Sequence, residues 1–375
     1  MLLTVALVPR SPGGSWKFFA KASELLGARD RLTGGAVGLH LYAKYPQAQF
    51  GPISVLVARL AIFASPKHAV HVAQTMSMFA YVLILALVFN CIVRARTENE
   101  QKRALQVLIV AGVVLLPVWL DLAIERIHLD DVLAITSVVV AIWALIRKHP
   151  FLAALAVGIA ADAKPWAVVF LVVLLIAEPN DRWPAFGLAF AVAFFPWIPF
   201  ILGDTHTLAS LTHFTISNNQ SSPLRALGVG APRTPRWDRP TQLLLGTSLG
   251  VAAFVRKRWE GILLVGVAGR LLIEPGTNHY YAAGLAVGAL VWDSLAGRGR
   301  LPWMTLWTVV LFEVPNHLAF FSRHVVGLLR VGACAGAIAY VALRPNSRNE
   351  FSDSRPREQK IADESLHGKH PASSV

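Results

Sequence analysis

Long apolar runs alternate with short polar or basic joints along most of the chain. From residue 70 onward the runs fall at 70–93, 104–122, 132–146, 150–162, 165–177, 184–202, 240–255, 260–273, 279–295, 302–314 and 324–343. A helix perpendicular to a bilayer needs about 20 residues to cross the hydrocarbon core. Segments 70–93, 184–202 and 324–343 meet that length, whereas 150–162, 165–177 and 302–314 fall short and predict broken helices or help from flanking residues. The pattern predicts an all-α polytopic membrane protein with about eleven transmembrane helices, within a range of roughly 9–13.

The first 69 residues follow a different pattern. Met1–Val8 is apolar but too short to span. The string WKFFAKASELL places Trp16, Phe19, Ala20 and Ser23 on one helical face and Lys17, Lys21 and Glu24 nearer another, as an interfacial amphipathic helix does. Gly51–Ala64 is a fourteen-residue apolar stretch carrying Arg59, and is expected to lie in the interface. Three regions result: 1–69, a short first apolar stretch plus an extracytoplasmic loop with two interfacial helices; 70–343, the helical bundle with a long outer loop at 203–239; and 344–375, a disordered cytoplasmic tail of alternating charge. No internal repeat stands out.

Composition sharpens this picture. Of 375 residues, 55% are hydrophobic and only 15% charged, with a mean hydropathy of +0.52. Soluble domains carry about 25% charged residues, so a soluble enzyme, a disordered chain and a disulfide-stapled module are all excluded. The net charge of +13 would suggest nucleic acid in a soluble protein. Here topology explains it, and no nucleic-acid partner is expected. With residue 70 outside, twelve basic residues fall on inner loops: Arg94, Arg96, Lys102, Arg103, Arg147, Lys148, Arg182, Arg256, Lys257, Arg258, Arg298 and Arg300. Seven fall outside, four of them in the long loop, so the positive-inside rule favours this orientation. Cys91 and Cys334 lie within apolar runs and read as small buried hydrophobes.

Unusual polar residues gather on the outer side. Ile127-His128-Leu129-Asp130-Asp131 puts an imidazole beside two carboxylates at a helix mouth, a set that can bind a cation or accept a proton from a hydroxyl. The bland alternative is a solvated helix start, where aspartate suits the dipole. In Asp162-Ala163-Lys164-Pro165-Trp166, the proline drives Lys164 out of helical geometry, leaving an ammonium able to hold a phosphate or to pair with Asp162 in an ordinary turn. Glu274-Pro275-Gly276-Thr277-Asn278-His279-Tyr280-Tyr281 offers hydrogen-bonding groups for a sugar or phosphate, or an aromatic belt. His206, His213 and the run Ser217–Ser222 lie in the long loop, and the segment around Tyr42–Gln47 reads mainly as loop packing. No histidine spacing suggests haem or zinc, and no metal ligand is assigned.

In order along the chain, WKFFAKASELL, LHLYAKYPQAQFGPISVL, IHLDD, AADAKPWAV and EPGTNHYYAAGLAVGALVWD resemble the GT-C class of integral membrane glycosyltransferases. The branch is the actinobacterial one near the polyprenyl-phosphate-mannose-dependent mannosyltransferases, and the likeness covers about residues 14–295. It implies a multi-pass protein of a bacterial plasma membrane with an extracytoplasmic active site. A mannose-like sugar would pass from a polyprenyl phosphate to the hydroxyl of a lipid or glycan acceptor, with inversion and with a divalent cation compatible. Carried onto this chain, Asp130 and Asp131 match the acidic pair and become the candidate catalytic residues. Lys164 becomes the candidate for the lipid phosphate, and His279 and Tyr280 for donor or acceptor contact. From the outer polar clusters themselves, Arg126 is the second choice for the phosphate, and His128 and Glu274 are candidates for substrate contact. Two departures stand out: Met1–Val8 occupies the place of a full first helix, and Ser15 stands where an acidic residue is expected. A lipid or solute transporter or flippase, and a catalytically degenerate GT-C-like protein, are the alternatives.

Overall fold

The computed structural model describes residues 13–28, 38–212, 215–318 and 320–344. Met1–Val8, His213 and the tail beyond residue 344 lie outside the described residues, as does the side chain of His279. Among the described residues no strand forms, and Ser217 and Arg233 make one isolated antiparallel bridge. Helices of ten residues or more are numbered in chain order: α1 (Trp16–Gly27), α2 (Pro52–Ala64), α3 (Ala69–Ala95), α4 (Glu98–Leu120), α5 (Leu129–Ile146), α6 (Pro150–Ala163), α7 (Pro179–Phe194), α8 (Asp238–Val255), α9 (Ile262–Leu271), α10 (Ala282–Leu295), α11 (Trp303–His317) and α12 (Arg323–Leu343). A 3₁₀ helix, Pro165–Ile176, lies between α6 and α7. Each apolar run beyond residue 70 is therefore helical.

Five helical stretches are long and apolar enough to cross a membrane: Ala69–Ala95, Glu98–Arg126, Leu129–Ile146, Pro179–Gly203 and Arg323–Leu343. Their surfaces fit that environment. On α4, Ile109 and Val113 are each 67% exposed in mid-helix, which water would disfavour and lipid does not. The shorter runs gain length in a different way. A 3₁₀ helix rises about 2.0 Å per residue, so the 12 residues of Pro165–Ile176 extend roughly 24 Å, against about 18 Å for an α-helix.

Basic loops meet at one end of the bundle. Arg147 donates to Asn90 Oδ1 at 2.6 Å, Lys148 lies 3.9 Å from Glu178, and Arg182 sits over the Phe254 ring. Arg96 donates to the carbonyls of Leu295 and Gly297, and Arg258 to that of Val341 at 2.8 Å. The opposite end carries the segments around Ser15, His128, Lys164, Glu274 and Tyr280.

At that end α1 and α2 pack as one apolar cluster. Trp16, Phe19, Ala22 and Ser23 of α1 are buried, close to the face read from sequence. Phe19 stacks on Phe50 at 4.3 Å, and Tyr42 is enclosed by Trp197 and Phe200. α2 buries Val55, Ala58 and Ala61 while Leu56, Leu60 and Phe63 stay exposed along its other side, which suits a helix lying in an interface. Its start is pinned by α6: Asp162 Oδ2 accepts from the Ile53 amide at 2.8 Å, and the Gly51 amide donates to Ala163 O at 3.2 Å. A Cβ on Gly51 would fall 1.8 Å from the Asp162 carbonyl oxygen. Replacing Gly51 with alanine is expected to destabilise the fold by about 1–3 kcal/mol or more, as overpacking does. Gly187, a helix-interior glycine whose Cβ would meet nothing within 4 Å, is the control: Gly187→Ala holds or raises the melting temperature in detergent while Gly51→Ala lowers it.

Candidate functional site

The site begins with a defect in α4. Pro117 lies inside that helix and has no N–H to donate, and the helix widens into a π turn at Asp121–Arg126. The turn ends on Ile127 with φ 52° and ψ 58°, a left-handed conformation unusual for a β-branched residue. Such a residue costs of order 1–3 kcal/mol and persists where packing over-determines it. Ile127 is fully buried, and Gly13 lies so close that a Cβ there would meet Ile127 Cγ1 at 2.6 Å. The amides of Gly14 and Ser15 donate to the carbonyls of Glu125 and Arg126, so the turn that leads into α1 is tied to the strained turn.

The reversal puts His128 at the N-cap of α5, with Asp130 and Asp131 in the first turn. Both carboxylates are buried, Asp130 at 1% and Asp131 at 5% exposure, so the solvated helix start is not what forms. Two buried charges need compensation. Lys164 supplies it: its ammonium contacts Asp130 Oδ2 and lies 3.2 Å from Asp131 Oδ2. Lys164 is extended at φ −139° and ψ 108°, as the following proline demands, and this turns it from the end of α6 toward α5. Burial alone would lower its pKa, but Asp130 and Asp131 outweigh that and raise it, so the ammonium stays charged. Asp162 does not pair with Lys164; it holds α2 instead.

His128 Nδ1 lies 3.3 Å from Asp130 Oδ1 and 3.6 Å from Asp131 Oδ2. Its Nε2 lies 2.6 Å from Ser15 Oγ, and its ring stacks on Tyr280 with centroids 3.9 Å apart. Asp131 Oδ2 is the exception in this network. It feels the nearby cations yet has no aligned hydrogen bond.

A second charged group adjoins the first through the tyrosines. Tyr280 meets Tyr281 edge-on at 4.7 Å, and Arg270 lies over the Tyr281 and Trp166 rings at 5.2 and 4.5 Å. Glu274 accepts from Arg270 at 3.1 Å, from Arg239 at 3.4 Å and from the Gly276 amide at 3.1 Å. Burial would push Glu274 up, but the two guanidiniums and that amide hold it below the ordinary carboxylate range. Tyr280 is buried, unlike the side chain of an aromatic belt.

Asp130, Asp131, His128, Lys164 and Tyr280 are thus brought together, with Glu274 in the adjoining group. Arg126 is not: its half-exposed side chain turns to Asp121 at 3.4 Å. The polar run in the long loop is structural. Asn218 donates to the carbonyls of Val229 and Ala231, and Asn219 to Thr277 Oγ1 at 3.1 Å. Arg239 and Arg270 were not singled out from the sequence, although an arginine inside the apolar run 260–273 is itself a signal, since charge in such runs marks function by default.

One imidazole nitrogen and two carboxylate oxygens of His128, Asp130 and Asp131 lie within 4.8 Å of one another, a donor set suited to a divalent cation. The Lys164 ammonium already provides a positive charge there, so cation and ammonium compete for the same carboxylates. A separate cleft of about 700 Å³ lies beside Lys44, Pro46, Asp204, His206 and Ser210. On its wall, Asp204 accepts from His40 at 2.8 Å and from the His206 amide at 3.0 Å. These bonds hold its pKa down at about 2. The chain matches no family model, no curated protein and no solved structure.

Lys164→Met leaves two carboxylates without their ammonium and is expected to cost about 3–5 kcal/mol, seen as a lower melting temperature in detergent. Adding Asp130→Asn in the same chain recovers much of that loss. At the cleft, a lowered Asp204 pKa means its contribution is full above about pH 4. That contribution fades as pH falls toward about 2. Amide exchange in 38–44 is expected to rise over that window relative to Asp204→Asn, which removes the dependence.

Proposed function

We propose that this chain is a polytopic membrane glycosyltransferase, with about eleven helical passes crossing a bacterial plasma membrane. Its site opens at the extracytoplasmic face, and the basic loops and tail are cytoplasmic. It moves a mannose-like sugar from a polyprenyl phosphate to a hydroxyl of a lipid or glycan acceptor. The observation that carries this reading is the convergence of Lys164, Tyr280 and Ser15, from distant parts of the sequence, on His128, Asp130 and Asp131 at the start of α5.

Within this reading the two aspartates divide the work. Asp130 is hydrogen-bonded to both Lys164 and His128, whereas Asp131 Oδ2 meets the same ammonium at 3.2 Å without an aligned hydrogen bond. That oxygen accepts the proton of the acceptor hydroxyl as it attacks the anomeric carbon. Lys164 is spent on the two carboxylates, so the departing lipid phosphate is better met by the partly exposed Arg239, with Arg270 beside it. A divalent cation, if held by His128, Asp130 and Asp131, would supply further charge stabilisation. A transporter would gather polar groups near the bilayer midplane at broken helices related by repeats. Here they gather at the ends of helices, which favours the enzyme.

Purified protein is expected to turn over a radiolabelled polyprenyl-phosphate mannose, and Asp131→Asn to lower kcat by about 10²–10⁴-fold with the fold intact. Full turnover by the Asp130→Asn/Asp131→Asn double variant would overturn the assignment. Reporter fusions placing Arg256–Arg258 on the same face as His128–Asp131 would overturn the topology.

A further inference from the structure

Ser15 stands where the sequence resemblance calls for an acid, and its surroundings give it a chemistry of its own. Its Oγ lies 2.6 Å from His128 Nε2, while the other ring nitrogen faces Asp130 Oδ1 at 3.3 Å. An ionised carboxylate can only accept, so in the neutral ring Nδ1 carries the proton and Nε2 accepts from the serine hydroxyl. Lys164 on Asp130 Oδ2 keeps that carboxylate ionised and leaves Oδ1 to the imidazole. Tyr280, stacked at 3.9 Å, fixes the ring plane. Hydroxyl, imidazole and carboxylate therefore stand in the order of nucleophile, base and orienting group.

The backbone supports the same assignment. Ser15 is the N-cap of the twelve-residue α1, so negative charge developing beside it meets the positive end of a helix dipole. The Ser15 amide donates to Arg126 O at 3.0 Å, which fixes the residue against the strained turn. Other buried serines are occupied differently: Ser54 donates to Ala163 O and Ser77 to Ala73 O. Ser65 also meets an imidazole, His68 at 3.2 Å, but it is exposed and local, and that ring has no carboxylate partner among the described residues.

We propose that Ser15 is a nucleophile that accepts a carboxylic acyl group from an ester at the membrane surface, activated by His128 and Asp130. Oγ attacks the carbonyl carbon as its proton passes to Nε2. The tetrahedral adduct then collapses, the ester C–O bond breaks, and the departing alkoxide takes the proton back from His128. This leaves acyl-Ser15 and an alcohol. A second hydroxyl, of water or of an acceptor, repeats the steps in reverse order, carries off the acyl group and restores Ser15. No oxidant, reductant or further reactant enters. This activity goes beyond sugar transfer, although it uses His128 and Asp130 of the same site.

The test is labelling of the full-length protein in detergent with a long-chain alkyl fluorophosphonate, followed by intact-mass measurement and peptide mapping. One adduct on Ser15 is expected, absent in Ser15→Ala and formed at least about 100-fold more slowly in His128→Gln, in line with loss of a general base. Ser65 serves as the internal reference within the same molecule, so the wild-type result stands even where a variant fails to fold. An unmodified Ser15, equal labelling of Ser15 and Ser65, or undiminished labelling in folded His128→Gln would each overturn the proposal. The reaction consumes no sugar donor, so its outcome is independent of the outcome of the transfer assay.

Discussion

Two carboxylates at the buried start of one helix impose most of what surrounds them. Taking an ionised aspartate out of water costs several kcal/mol even after relaxation, and Asp130 and Asp131 stand side by side. An ammonium has to reach them, and Lys164 does so only because Pro165 ends α6 and releases the backbone into an extended form. An imidazole has to lie across them, and His128 does so only because the chain reverses at Ile127. The π turn, the broken hairpin and the stacked tyrosine are then parts of one electrostatic solution. With a neutral imidazole, Asp130, Asp131 and Lys164 sum to −1, while on the other side of Tyr280 and Tyr281 the guanidiniums of Arg239 and Arg270 are balanced by the carboxylates of Glu274 and the nearby Asp238.

Much of this was legible in the sequence because the signals were local. The apolar runs located the helices, and the amphipathic pattern of WKFFAKASELL located α1 and its buried face. Pro165 announced that Lys164 leaves helical geometry. His128, Asp130 and Asp131 were conspicuous because charge is rare in such a chain. What the sequence left open was pairing at a distance. Asp162 and Asp131 look equally available to Lys164, yet one takes an amide of α2 and the other the ammonium. Arg126 looked suited to a phosphate, but a π turn rotates side chains away from the α-helical periodicity, and it faces Asp121 instead. Arg270 was passed over as one cation in an apolar run, since only the fold brings Trp166 and Tyr281 around it.

Small residues decide how near the helices come. Gly158 of α6 lies against Val192 and the Ala189 carbonyl of α7, and Gly288 of α10 lies against the backbone of Leu264 in α9. Close backbone approach is how apolar helices associate where burial from water supplies no drive. The site end is organised differently, with Trp16, Phe19, Tyr42, Phe50, Trp197 and Phe200 filling the space between the surface helices and the bundle. Tight small-residue seams hold the bundle, and bulky rings seat the cover above it.

The helix α10 is held at both extremities. Tyr280, on the turn leading into it, leans on His128, while at the far terminus Arg96 grips the carbonyls of Leu295 and Gly297 and Asp293 binds the amides of Met304 and Thr305. This fourteen-residue helix links the two contacts over about 21 Å. A change in charge near Arg96 would therefore act on the same helix whose other end carries the Tyr280 ring stacked on His128.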